Sequence, residues 1–334
     1  MTKILITTCP DANSKNILEQ ELPEGFSLFI LSEITKEELL TKVADIEYLL
    51  VSGRLPIDKD VLLTANNLKM VQRTGVGIEM IDLEVLKSKK IPLYVNKSIN
   101  SYCVAEHTIL LILSALRQLP LADSSTKSGK WVRHELAMHN YELRNCTVGL
   151  IGLGSIGTRV AELLKPFNVS IIYYKRNKLD SEEEKMLGVS YKTLAELLDE
   201  SDIISLHCPL TKETKNIIGR QEISKLRKGA IVINTSRGGL IDEKALALYL
   251  KSGHIKAAGL DVFSEEPLNT DNPLLKLDNV TLTPHIAGIT SQSYREMIKE
   301  AFNNIKLFSQ GNIDLIMAEE LCLTLQDDKQ EETR

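Results

Sequence analysis

The chain has 334 residues, which at ~150 residues per domain suggests two domains. Its 43% hydrophobic and 25% charged residues are those of an ordinary globular protein. With Lys+Arg 40 against Asp+Glu 45 the formal net charge is −5, so the basic footprint of a nucleic-acid binder is missing.

The longest apolar run, Ile109–Leu113, is far short of a membrane span, and no membrane partner is expected. The amino terminus has no signal-peptide core, so a soluble, cytoplasmic protein is expected. Cys9, Cys103, Cys146, Cys208 and Cys322 are scattered without a CxxC pair. That pattern points to reduced thiols rather than a disulfide scaffold, and no metal site is expected.

The first hundred residues alternate short apolar runs with amphipathic segments. The pattern predicts strands at Ile4–Thr7, Phe26–Leu31, Tyr48–Ser52, Leu68–Arg73 and Pro92–Asn96. Helical spacing falls at Ser14–Glu21, Lys36–Val43, Asp58–Thr64 and Asp82–Lys89. A strongly apolar helix follows over Val104–Leu119, ended by Pro120, and should be buried between domains or at a subunit interface.

A second alternating series predicts six strands, at Thr147–Ile151, Ser170–Tyr174, Asp202–His207, Ile231–Thr235, Ala258–Val262 and Val280–Thr283. Helices fit at Ile156–Lys165, Thr193–Leu198, Gln221–Leu226 and Glu243–Lys251. Strands separated by helical crossovers imply an α/β fold with doubly wound parallel sheets. A long amphipathic helix near Ser291–Phe308 could return to the first domain, and a polar tail from Glu319 is expected to fray.

Between Cys146 and Gly157 an apolar strand runs into Gly152-x-Gly154-x-x-Gly157 and then a helix. In a dinucleotide site the first glycine makes the tight turn, the second admits the pyrophosphate and the third lets helix pack on strand. An NAD site wants an acid at the end of the next strand, about 20 residues on. Here that position reads Tyr174-Lys175-Arg176, and the nearest downstream carboxylate is Asp180. Lys175 and Arg176 could pair with a 2′-phosphate or form a solvated turn. NADP(H) is therefore the favoured cofactor, with NAD(H) left open.

Three residues follow predicted strands of the second series, where ligands of doubly wound sheets bind: Arg237, Glu266 and His285. Hydride transfer to a 2-oxo acid needs a group that grips the carboxylate and polarises the carbonyl, which a forked guanidinium does. It also needs an acid for the forming alkoxide, and a carboxylate that orients that acid and favours its charged form. Arg237, His285 and Glu266 fit these roles in that order.

These stretches resemble the D-isomer-specific 2-hydroxyacid dehydrogenase family. The resemblance runs through Arg73-Thr-Gly-Val-Gly77, Val104-Ala-Glu-His107, Gly149–Gly157, Leu206–Thr211, Ile233–Gly239, Gly259–Pro267 and Thr283–Gly288, in the family's order. It implies two Rossmann-like domains, the cofactor domain (102–289) inserted into a discontinuous substrate domain (1–101 with 290–334), and a homodimer. It implies that Arg237, Glu266 and His285 are the catalytic trio, with a small 2-oxo or 2-hydroxy acid as substrate. Val76 and Gly77 match the turn that holds the substrate carboxylate.

Further implied cofactor contacts are Ser155 and Ile156 at the pyrophosphate, and His207, Cys208, Pro209 and Thr214 on the adenosine side. Thr235 and Asp261 match residues near the nicotinamide, Ser236 and Gly288 are further implied cofactor contacts, and Thr108 lies on the helix that also touches cofactor in the family. Tyr174-Lys175-Arg176 resembles NADP-preferring glyoxylate/hydroxypyruvate reductases, whereas 72–77 and 96–107 look like phosphoglycerate dehydrogenases. Arg54 could meet a second anionic group of the substrate or face water. The alternative from another class is a nicotinamide-sensing protein of the C-terminal-binding corepressor type, which retains the same trio.

Overall fold

A computed structural model describes residues 1–53, 55–96, 98–316 and the backbone of 319–320. Arg54, Cys322 and nearly all of the tail lie outside the described residues. The chain opens with β1 (Thr2–Ile6), α1 (Ala12–Glu21), β2 (Phe26–Ile30), α2 (Lys36–Val43), β3 (Tyr48–Val51), α3 (Lys59–Thr64), β4 (Met70–Arg73), α4 (Leu83–Ser88) and β5 (Leu93–Val95). Three helices follow, α5 (Ser101–Arg117), α6 (Leu119–Lys127) and α7 (Arg133–Ala137). The second series runs β6 (Thr147–Ile151), α8 (Ser155–Leu164), β7 (Ser170–Tyr174), α9 (Ser181–Leu187), β8 (Val189–Tyr191), α10 (Leu194–Glu200) and β9 (Ile203–Leu206). It continues with α11 (Arg220–Lys225), β10 (Ala230–Asn234), α12 (Glu243–Lys251), β11 (Ile255–Leu260) and β12 (Val280–Leu282), before α13 (Ser291–Ser309) and β13 (Glu319–Glu320).

The chain divides into two compact units, 1–100 with 290–334, and 101–289. The first holds a sheet of order β13-β5-β4-β3-β1-β2, parallel except for β13, which pairs antiparallel with β5. Its helices start where a short polar side chain can satisfy the free amides of the first turn. Asp11 accepts from Ser14 N, Thr35 from Glu38 N, Asp58 from Val61 N and Asp82 from Val85 N. Helix α13 does return to this unit. Its Ile298, Ala301, Phe302 and Ile305 are buried with Ile4, Ile6, Tyr48, Leu50 and Tyr94. Arg295 pairs with Glu21 at 2.6 Å, and Asn96 donates to the carbonyl of Met297.

The second unit holds seven parallel strands in the order β12-β11-β10-β9-β6-β7-β8, one more than expected. The extra strand, β8, is three residues long and follows α9, which begins at an Asp180 capping box and buries only Leu187. So small an apolar signal leaves little periodicity to read. The apolar helix also differs from expectation. It ends at Arg117, Gln118 is left-handed (φ 49°), and Pro120 opens α6, where a missing N–H costs nothing. The buried face of α5 (Leu111, Ile112, Ala115, Leu116) meets Val148, Leu150, Ile233 and Ala257, so its burial is accounted for by the sheet of its own unit. No single described helix is long and apolar enough to cross a membrane. Among the described residues no group of three or more His, Cys, Asp or Glu could hold a metal ion.

Candidate active site

At the end of β6 the glycine turn is built by the chain's own packing at two of its three glycines. Gly152 has φ +98°, donates to Tyr174 O at 2.8 Å, and would place a Cβ 2.6 Å from the backbone of His207 and Cys208. A Cβ on Gly157 would lie 2.5 Å from Gly152 O. Gly154 is different: its φ of −92° suits any residue, and no protein atom lies within 4 Å of a Cβ placed there. The protein alone does not demand glycine at this position. A ligand approaching the backbone would, and Gly154 opens α8, whose first residues Ser155 and Ile156 follow an N-cap with no side-chain bond. Free amides, a positive helix end and open space fit a pyrophosphate.

Tyr174 ends β7, and the turn after it is held from below. Tyr173 Oη accepts from Leu179 N at 2.9 Å and donates to Glu184 at 2.8 Å. Lys175 is half-buried and Arg176 exposed. Asp180, the nearest downstream acid, accepts from Glu182 N and Glu183 N, so its carboxylate serves as a helix cap. At the end of β9, His207 N donates to Ile151 O, and its ring Nε2 lies 2.9 Å from Ser205 Oγ. Burial lowers the His207 pKa to about 3 and pushes the Cys208 thiol up to about 11. Both are neutral near pH 7, and Thr214 closes the following loop by donating to Pro209 O at 2.6 Å.

The end of β10 carries Arg237. The buried Asn234 accepts from Ser236 N at 3.0 Å and donates to Arg237 O at 2.8 Å, fixing both ends of the turn. Ser236 Oγ donates to Cys208 O, and Thr235 Oγ1 lies 2.9 Å from Thr108 Oγ1 on α5. A Cβ on Gly238 would fall 1.9 Å from the carbonyl carbon of Phe263, so this loop rests directly on the backbone that precedes Glu266.

Glu266 accepts from Phe263 N through Oε1 and meets His285 Nδ1 through Oε2, both at 2.9 Å. With Nδ1 on the carboxylate, the outward nitrogen Nε2 is the one placed for proton transfer. The Glu266 side chain is 11% exposed and that of His285 38%, so the acid is covered and the imidazole reaches solvent. Asp261, expected near the nicotinamide, is fully buried. Its carboxylate accepts from Thr283 Oγ1, Ile286 N and Ala287 N, and Gly288 follows in the same loop.

The structure thus brings together Glu266 with His285, the Arg237 loop with the 263–266 backbone, Gly152 with Tyr174 and His207, and Thr108 with Thr235. Val76 and Gly77 belong to the first unit, in the turn after β4. There Arg73 braces them, donating to Gly77 O at 2.9 Å and Val51 O at 3.2 Å. Sequence reading passed over Asn234, Thr283 and the bracing side chain of Arg73. All three work through hydrogen bonds to backbone or buried groups that no spacing rule displays.

A parallel sheet with a glycine turn at one strand end and an Arg/Glu/His cluster at others defines a dinucleotide-dependent enzyme class. Residues 109–287 match the D-isomer specific 2-hydroxyacid dehydrogenase, NAD binding domain. The glyoxylate reductase of Aeropyrum pernix is 42% identical over 286 residues, 83% of this chain and 84% of that one. The D-3-phosphoglycerate dehydrogenase of Archaeoglobus fulgidus is 38% identical over 93% of this chain, which spans 54% of that longer protein. The solved apo-structure of D-lactate dehydrogenase from Escherichia coli matches at TM-score 0.83 and 26% identity, over 93% of this chain and 98% of that one. The chain belongs to the D-isomer specific 2-hydroxyacid dehydrogenase family.

The glycine geometry makes a separable prediction. Gly154→Ala should leave thermal stability unchanged, while Gly157→Ala should destabilise the fold through its clash with Gly152 O. Calorimetry with dinucleotide titration should show Gly154→Ala weakening binding by about tenfold or more. Unchanged binding in that variant would contradict the pyrophosphate assignment.

Proposed function

We propose that the protein reduces a small 2-oxo acid to the D-2-hydroxy acid with a nicotinamide cofactor. The observation that carries this reading is the 2.9 Å contact of His285 Nδ1 with Glu266, beside the Arg237 loop at the carboxyl end of a dinucleotide-binding sheet. When bound, the reduced nicotinamide supplies the hydride. Arg237 grips the substrate carboxylate and draws electron density from the C2 carbonyl through its forked donors. His285 gives its Nε2 proton to the oxygen of that carbonyl as the alkoxide forms, while Glu266 holds the ring through Nδ1.

NADP(H) is the preferred cofactor in this reading. The turn after β7 offers Lys175 and Arg176, and the nearest downstream carboxylate, Asp180, is occupied as a helix cap. Glyoxylate or hydroxypyruvate is the preferred acceptor, supported by reductase relatives such as that of A. pernix, 42% identical to this chain. The named relatives are dehydrogenases and reductases, which leaves the corepressor alternative without support.

We also propose a homodimer. Leu119, Trp131 and Met138, in and around α6 and α7, are 51%, 79% and 82% exposed, large apolar side chains of the kind that a second copy would cover. Light scattering should give the mass of two chains, and Trp131→Asp should shift it toward one. A wild-type chain that runs as a monomer at micromolar concentration would remove this part of the reading.

His285→Ala should lower kcat by about 10²–10⁴-fold with cofactor affinity retained, the cost of losing a general acid. Unchanged turnover would refute the assigned acid. Neutral residues at both Lys175 and Arg176 should raise KM for NADPH far more than for NADH. Equal changes for both cofactors would return that pair to a solvated turn.

A further inference from the structure

His285 sits in an unfavourable backbone conformation. Its φ is +55°, in the left-handed region that a side chain with a Cβ rarely adopts without outside constraint. The constraint is visible on one buried residue. His285 N donates to the Asp261 carbonyl at 2.9 Å. The next two amides, Ile286 N and Ala287 N, donate to Asp261 Oδ1 and Oδ2, each at 2.9 Å. The loop is therefore wrapped around Asp261 at three consecutive amides.

A buried carboxylate is costly unless its lone pairs are filled, and the remaining donor here is Thr283 Oγ1 at 2.6 Å. Thr283 has only one hydroxyl proton, and Asp261 takes it. His107 Nε2, 3.0 Å from the same Oγ1 and 3.7 Å from Asp261 Oδ1, must then donate its N–H to the threonine oxygen. Donors pass in one direction, from His107 on α5 to Thr283 to Asp261, and Asp261 in turn receives the amides flanking His285.

We propose that Asp261, Thr283 and His107 form a positioning relay that fixes the backbone turn carrying His285, and through it the direction of the imidazole. This rests on His285 being the acid proposed above. Asp261 is a positioning residue in this scheme: its Oδ1 accepts from Thr283 and Ile286 and its Oδ2 from Ala287. An aspartate is required because three donors converge on it, and an asparagine would turn its own N–H₂ toward at least one of them. Thr283 is required for its hydroxyl, not its shape.

The test compares Thr283→Val, which keeps the shape and loses the hydroxyl, with Thr283→Ser, which keeps the hydroxyl. Both are measured in the full chain with NADPH and glyoxylate, reading kcat, KM and NADPH affinity separately. Misplacing a catalytic group costs about tenfold or more, so Thr283→Val should lose that much in kcat with NADPH affinity held within about twofold. Thr283→Ser should recover most of it, and Asp261→Asn, should Thr283→Val not fold, must show the same split. Wild-type kcat in Thr283→Val alongside an inactive His285→Ala overturns the relay and leaves the proposed function standing. Full turnover in His285→Ala overturns both. A loss in the Thr283→Val and Asp261→Asn variants that appears as weakened NADPH binding at unchanged kcat overturns the relay in favour of direct cofactor contact.

Discussion

The 2.9 Å contact between Glu266 and His285 is the interaction that the rest of the second unit serves. The two residues lie on loops after neighbouring strands, β11 and β12, so a parallel sheet is needed to deliver both from one edge. Glu266 is tethered by Phe263 N, and the same stretch of backbone carries the Arg237 loop, pressed close at Gly238. The carboxylate is covered and the imidazole half open, which suits an orienting group and a proton donor respectively. Neutral side chains line the neighbouring strand end, where burial keeps both His207 and Cys208 uncharged.

Much of this was legible in the sequence, for a physical reason. Chemistry at a strand end demands particular residue types, and Gly152, Gly154, Gly157, Arg237, Glu266 and His285 each stand directly beyond an apolar run. The glycines are distinguishable only in three dimensions. Two are enforced by contacts with Gly152 O, His207 and Cys208, while the space at Gly154 is open. The seven-strand count was missed because β8 and α9 bury so little apolar surface.

What stayed hidden is the layer beneath the site. Asn234 and Thr283 are ordinary polar residues whose roles depend on bonds to Arg237 O, Ser236 N and Asp261. Asp261 is buried beneath the His285 loop, where its carboxylate accepts from Ile286 N and Ala287 N, bonds that no sequence pattern displays. Pro120 was read as a terminator, yet the helix broke three residues earlier at Arg117 and the proline began the next one. The return of α13 was permitted by its amphipathic pattern and fixed by its buried face against Ile4, Ile6 and Tyr48.

The most direct measurement is the oxidation of NADPH and of NADH, followed by absorbance, with glyoxylate, hydroxypyruvate, pyruvate and 3-phosphohydroxypyruvate offered in turn. Fast oxidation of NADPH with glyoxylate or hydroxypyruvate, with formation of the D-hydroxy acid, is the expected result. No oxidation with any of the four acceptors, despite tight cofactor binding, would contradict it.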